Sequence, residues 1–323
     1  LDLKARRKLM RNVFEKLLPT EVPENLPDYV LQKFRFPSRY DALRQIHFPR
    51  NEQELELARN RLKFEELFFL QLRLLQIKRR RNDTVKGFVF DTIGDYFNKF
   101  YNEKLPFELT GAQKRVVKEI RQDLRAGKQM NRLVQGDVGS GKTMVALLCM
   151  LIALDNGFQT CMMAPTEILA QQHYQSLTEY LSGMSVRVAF LSGTVKGKKR
   201  EQLLKLLKDG ESHILVGTHA LIEDWVEFQN LGLAITDEQH RFGVAQRAQL
   251  WRKSKPHPPH GLVMTATPIP RTLAMTLYGD LDISIIDEMP PGRKPVTTIH
   301  KTEHQRDQVI QFMKNEIAKG RQV

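Results

Sequence analysis

The eight residues Gly136-Asp-Val-Gly-Ser-Gly-Lys-Thr143 fit the phosphate-binding spacing G-x-x-x-x-G-K-[ST]. Glycines in such a loop let successive backbone N–H groups turn inward on phosphate oxygens. Every position of the run is therefore a candidate nucleotide contact: Gly136, Asp137, Val138, Gly139, Ser140, Gly141, Lys142 and Thr143. The Lys142 ammonium would reach the β- and γ-phosphates, and Thr143 offers a hydroxyl to Mg²⁺. Downstream, Leu233-Ala-Ile-Thr-Asp-Glu238 is an apolar run that ends in two adjacent carboxylates. In a phosphate-loop enzyme the first, Asp237, would hold Mg²⁺. The second, Glu238, would act as general base or orient the attacking water. Alone, the pair reads as a solvated strand-end turn; the upstream loop turns the reading towards ATP hydrolysis.

Both motifs need a strand ahead of them, and the loop needs a helix behind it. From about residue 105 short apolar runs alternate with amphipathic stretches. Residues 132–135, 160–164, 187–191, 213–217, 233–236 and 261–265 read as strands. Residues 144–154, 167–181, 198–208 and 244–251 read as helices. That rhythm predicts an α/β fold, a parallel sheet with helices on both faces and ligands at the carboxyl ends of its strands. Before residue 105 that alternation is absent and long helical patterns dominate. Asn51 is the expected N-cap of a helix running to about residue 80, with Leu55, Leu62, Leu67, Leu70, Leu74 and Ile77 as its apolar positions. Its end, Lys78-Arg79-Arg80-Arg81, reads either as a solvated helix terminus or as a phosphate contact. Pro290, Pro291, Gly292 and Pro295 mark a linker. Beyond it a strand at 297–300, a helix at 303–319 and the start of a strand at 321–323 are expected. The expected organisation is a helical region at 1–104, a nucleotide-binding domain at 105–295 and the start of another domain at 296–323.

Bulk properties narrow the partners. Fifty Lys and Arg against 37 Asp and Glu give a net charge of +13, which points to nucleic acid. Residues 1–104 hold 22 of those cations against 15 acids, more than their share. Forty-one per cent apolar residues suffice for a soluble core. The chain opens at Leu1 without Met, so an excised piece is expected. Cys149 and Cys161 lie in apolar runs without metal-ligand spacing and read as buried free thiols, with no disulfide. No apolar run is long enough to span a bilayer and no signal peptide is present, so a cytoplasmic location is the default expectation. Lys196-Gly-Lys-Lys-Arg200 reads as a solvated loop, with a DNA phosphate contact as the alternative. His257 and His260 have no Cys or carboxylate nearby in sequence, so a metal site there is not expected. Ser140, Ser192 and His240 form no nucleophile–base signature.

Several segments carry a family resemblance, in order along the chain. Leu109-Thr-Gly-Ala-Gln113 resembles the adenine-reading segment of superfamily 2 helicases. Ala164-Pro-Thr-Glu-Ile-Leu-Ala170 resembles motif Ia, and Val216-Gly-Thr-His-Ala-Leu221 motif Ib. Asp237-Glu-Gln-His240 resembles motif II, and Met264-Thr-Ala-Thr-Pro-Ile-Pro-Arg-Thr-Leu-Ala274 motif III with an extended tail. The wording is most similar to the RecG family, bacterial ATP-dependent helicases of branched DNA. Asp237-Glu-Gln-His-Arg-Phe-Gly-Val244, Gln246-Arg247, Tyr278-Gly-Asp-Leu-Asp282 and Ile286-Asp-Glu-Met-Pro-Pro-Gly-Arg293 carry that likeness. Ile46-His-Phe-Pro49 and Arg61-Leu-Lys-Phe-Glu-Glu-Leu67 extend it upstream. The transcription-repair coupling factor shares the phosphate loop and the motif III tail but not the two upstream segments, and ranks second.

The resemblance implies a RecA-like P-loop domain, ATP with Mg²⁺, and branched DNA as partner. Gln113, with Phe107 against the ring, would recognise adenine. Gln239 and His240 would join Lys142, Asp237 and Glu238 in catalysis. Thr265 and Thr267 would couple nucleotide state to DNA. Thr166, Glu167, Thr218 and His219 would track a DNA backbone. No oligonucleotide-fold wedge is visible and the second motor domain looks incomplete. The chain by itself is therefore expected to bind nucleotide and DNA but to hydrolyse ATP poorly and unwind nothing. A nucleotide-gated DNA-binding module is the alternative of a different class.

Overall fold

The computed structural model describes residues 2–238, 249–267, 281–289 and 297–323. The expected contacts Gln239 and His240 lie outside the described residues, as do residues 241–248, 268–280 and 290–296, with much of the RecG-like wording and the proline linker. Two compact units divide the chain, one ending at Glu288 and one comprising Met289–Val323.

The first unit opens with helices α1 (Leu3–Lys16), α2 (Asp28–Phe34), α3 (Arg39–His47) and the long α4 (Glu52–Thr84). Asn51 caps α4 as expected, its Oδ1 accepting the Glu54 N–H at 2.8 Å. The helix is less buried than its leucines suggest. Leu67, Leu70 and Ile77 are exposed, whereas Arg61 is fully buried against Glu24 and Glu65. Lys78, from the basic end, reaches Asp282 at 2.6 Å.

A short helix α5 (Asp95–Lys99) and α6 (Gly111–Leu124) lead into the sheet. Its strands are β1 (Asn131–Gly136), β2 (Gln159–Met163), β3 (Val188–Leu191), β4 (Ile214–Gly217), β5 (Leu231–Asp237), β6 (His260–Thr265) and β7 (Asp282–Ile286). They form one sheet in the order β3-β4-β2-β5-β6-β1-β7, and every pairing is parallel. Helices α7 (Lys142–Asp155), α8 (Glu167–Tyr180) and α9 (Gly197–Lys208) connect the early strands. Six strands match expectation to within a few residues. β7 was not anticipated.

Alternate strand residues point to opposite layers, as the period of two requires. Met162, Ile214, Val216, Leu233 and Ile235 join α6, α7 and α8 in one core; Cys161, Met163, Leu215 and Ala234 join Leu207 and Leu221 in the other. Burial pushes both cysteine thiols up to about 12, so they stay protonated and inert. All residues from Met144 to Leu154 of α7 are buried. At its end the Asp155 carboxylate accepts the N–H groups of Gly94, Tyr96 and Phe97 at 2.9–3.1 Å, capping α5. His260 belongs to the core. Its Nδ1 accepts the Met130 N–H and its Nε2 donates to the Phe88 carbonyl, both at 2.9 Å. Among the described residues no cluster of His, Cys, Asp and Glu has the makings of a metal site.

In the second unit α10 (Arg306–Ala318) forms within the expected helix. The strands expected at 297–300 and 321–323 do not form. A strand needs a neighbour to take its N–H and C=O groups, and the described residues offer these segments none. No described helix is long and apolar enough to cross a membrane.

Candidate functional site

Because all strands run parallel, their carboxyl ends share one edge, where such sheets hold ligands. The phosphate loop leaves β1 on that edge. Thr265 ends β6 opposite Gln135, and Asp237 ends β5 opposite Met264. Three adjacent strands, about 5 Å apart, thus bring the expected nucleotide groups together.

The loop's geometry depends on its glycines. Gly139 and Gly141 have φ of 80° and 84°, a region that favours glycine. A Cβ on Gly141 would meet Gln113 Nε2 at 2.2 Å, and one on Gly136 would meet Ser140 Oγ at 2.5 Å. Ser140 is fully buried, and among the described residues its hydroxyl has no hydrogen-bond partner. Gly141 caps α7 without a side-chain hydrogen bond, so the first N–H groups of that helix face the loop. Lys142 Nζ folds over the loop, donating to the carbonyls of Gly136 at 2.6 Å and Asp137 at 2.9 Å. Val138, at the tip, is exposed. An orphaned buried hydroxyl, uncapped amides and a poised ammonium fit a phosphate group.

Gln113 is placed differently from a free base reader. It closes a capping box with Thr110, and its Nε2 donates to the Ser140 carbonyl at 2.8 Å. Its amide buttresses the phosphate loop, leaving one hydrogen and one lone pair for other partners. Phe107 is half-buried against the core that contains α7.

Asp237 is buried and held from both sides. Its Oδ1 accepts the Glu238 N–H at 3.0 Å, and its Oδ2 meets His173 Nε2 at 2.8 Å. Glu238 adopts φ of 50°, a strained backbone for a residue other than glycine. Thr143, in the first turn of α7, and Asp237 supply the hard oxygen donors that Mg²⁺ prefers. Thr265 and Thr267 join their hydroxyls at 2.7 Å.

The other half of the edge carries the loops after β2, β3 and β4. Thr166 caps α8, accepting the Leu169 N–H at 3.3 Å. Glu167 accepts the hydroxyls of Thr194 at 2.5 Å and Ser192 at 2.9 Å, which hold its carboxyl below the usual carboxylate range. Glu167 therefore organises the loop after β3. Thr218 is buried where β4 ends, and His219 beside it is exposed. Lys196, Lys198 and Lys199 are exposed at the start of α9, where Arg200 lies 3.7 Å above the Trp225 ring.

Residues 110–276, just over half of the chain, match the DEAD/DEAH box helicase family. The chain belongs to that family. It is 49% identical to the ATP-dependent DNA helicase RecG of Synechocystis over 94% of its own length and 36% of the relative's. With RecG of Aquifex aeolicus the identity is 45%, covering all of this chain and 42% of the relative. A solved structure of RecG bound to a three-way DNA junction superposes with a TM-score of 0.79 at 43% identity, covering 97% of this chain and 42% of that one. The chain thus spans less than half the length of these relatives, and the RecG resemblance read from the sequence covers nearly all of it.

Within this helicase fold, sequence reasoning missed two features of the edge. Ser192 was weighed as a nucleophile and set aside, yet it and Thr194 anchor Glu167. His173 lies 64 residues before its partner Asp237 and belongs to no expected motif. Its signal was only a histidine on the buried stripe Ala170, His173, Leu177 of α8.

Proposed function

We propose that this chain is the ATP-binding motor part of a DNA helicase that remodels branched DNA, such as replication forks and recombination junctions, in repair and recombination. The observation that carries the proposal is the convergence of the phosphate loop, Asp237–Glu238 and Thr265–Thr267 on three adjacent carboxyl ends. The similarity to RecG supports branched DNA as the partner and a bacterial cytoplasmic setting. Division into a helical region at 1–104, a first RecA-like domain at 105–295 and the start of a second at 296–323 belongs to the same reading.

The residues divide the work as follows. Backbone N–H groups of residues 136–141 and the first turn of α7 cradle the phosphates. Lys142 leaves the carbonyls of Gly136 and Asp137 for the β- and γ-phosphate oxygens, a charge-assisted exchange. Thr143 and Asp237 would hold Mg²⁺, which when bound would supply positive charge to neutralise those oxygens. Glu238 takes the proton of the attacking water or orients it, with Gln239 and His240 beside it in sequence. Gln113 and Phe107 flank the base. Thr265 and Thr267 relay the nucleotide state. Thr166, Thr218 and His219 face the DNA backbone, with Glu167 holding their neighbouring loop in place.

Lys142→Ala tests the assignment. Calorimetric titration of this chain with ADP and Mg²⁺ should show binding that the substitution abolishes. Equal affinity in both proteins would overturn the reading of this loop.

A further inference from the structure

We infer that His173 is a positioning residue for the nucleotide's metal, fixing the Asp237 carboxylate so that its free lone pairs face Mg²⁺. The inference rests on the proposed nucleotide site and goes beyond its expected residues. Both partners are buried, and the Nε2 to Oδ2 distance is 2.8 Å. The Glu238 N–H takes the other oxygen at 3.0 Å. One hydrogen bond would leave the carboxylate free to turn about its Cβ–Cγ bond; two, one on each oxygen, stop that rotation. Each carboxylate oxygen has about two lone-pair directions, so one on each remains for a metal or its bound water.

The position also argues against a histidine that merely fills space. On α8 the buried stripe is Ala170, His173 and Leu177, and an apolar residue between the outer two would pack without needing a partner. Histidine brings a ring nitrogen that must be satisfied, and among the described residues its partner is Asp237 at the end of β5. The same bond ties the metal's carboxylate to α8. Six residues earlier, about 9 Å along the helix axis, Glu167 holds the loop after β3.

The experiment compares His173→Leu and His173→Gln with the unaltered chain, by calorimetry with ADP in the presence of Mg²⁺ and in EDTA. Leucine fills the space but cannot hydrogen-bond. Glutamine places an amide nitrogen near the position of Nε2. We expect His173→Leu to lose about tenfold to a hundredfold in Mg²⁺-dependent affinity, the usual scale for a partner of a metal ligand. Its affinity in EDTA should stay within about twofold of the unaltered chain's, since the phosphate loop is untouched, and His173→Gln should recover most of the loss. Thermal melts establish that each variant is folded. Should the leucine variant not fold, His173→Asn, whose amide is too short to reach Oδ2, takes its place. An unchanged Mg²⁺ increment in the leucine or asparagine variant would overturn the inference. So would a glutamine variant as defective as that one. Lys142→Ala separates the two levels. If it fails to abolish ADP binding, the site reading falls and this inference with it. If it abolishes binding while the His173 variants keep the Mg²⁺ increment, only the role of His173 falls.

Discussion

α7 and α4 are both rich in leucine and are held in opposite ways. α7 is apolar all round and buries every residue from Met144 to Leu154. Among the described side chains of α4 only Ala58 and Arg61 are buried, while Leu57, Leu67, Leu72, Leu75 and Ile77 are exposed. α7 is fixed along its length by packing, and its first turn, behind the phosphate loop, is fixed with it. α4 is held at discrete points: Phe64 against Phe34 and Phe36, the Asn51 cap, Arg61 with Glu24, and Lys78 with Asp282. Disturbing α7 should therefore disturb nucleotide binding, whereas disturbing α4 should leave the loop intact.

The largest expected effect is in α7. Leu148→Ala empties a wholly buried site and should cost about 2–5 kcal/mol in urea denaturation. Leu75→Ala, on the exposed part of α4, should stay within about 0.5 kcal/mol. Similar costs at the two sites would break the comparison.

Next comes Arg61, fully buried, whose Nε and Nη1 have no hydrogen-bond partner among the described residues. Arg61→Ala should cost about 3 kcal/mol, because Glu24 loses its cation and Glu65 is left with Arg39 at 3.5 Å. Arg61→Met keeps the volume without the unsatisfied donors and should recover at least half of that loss. Neither should change ADP affinity. A weakened affinity would show that the helical region is not independent of the site.

A similar magnitude is expected from His260 in the sheet core, but only in a pH window. Burial pushes its imidazole from 6.5 down to about 4. The unfolded chain takes up a proton below pH 6.5, and the fold resists it until about pH 4. The contribution is therefore complete above pH 6.5 and is lost as pH falls towards 4, about 3 kcal/mol in all. The drop in stability between pH 7 and pH 4, followed by urea denaturation, should be smaller by about that amount in His260→Gln. Equal drops would contradict this linkage. The smallest effect belongs to Lys78→Ala. The pair with Asp282 is partly exposed, so at most about 1 kcal/mol is expected, fading with added salt.

The sequence made the chemistry legible where it is local. The phosphate loop, the strand before it and the helix after it are contiguous, so spacing alone exposed them. Asp237 and Glu238 stood out because an apolar run delivers them downstream of that loop; without the loop they read as a solvated turn. β7 was not: residues 282–286 are short, and the Ser284 hydroxyl at their centre is buried by hydrogen bonds to Arg132 and Glu119 that no local pattern encodes. His173 and Arg61 escaped for the same reason, each owing its burial to a partner distant in sequence. Gln113 was named through the family resemblance, but its engagement by Thr110 and Ser140 was not foreseen. The strands read at 297–300 and 321–323 had the right residues but, among the described residues, no neighbour to pair with.

Amide hydrogen exchange with and without ADP and Mg²⁺ tests the central claim most directly, because it reads both regions in one experiment. Nucleotide held at the carboxyl ends of β1, β5 and β6 should slow exchange at residues 137–144 and at Asp237 and Glu238, and leave residues 53–80 of α4 unchanged. No slowing in the phosphate loop, or equal slowing along α4, would contradict it.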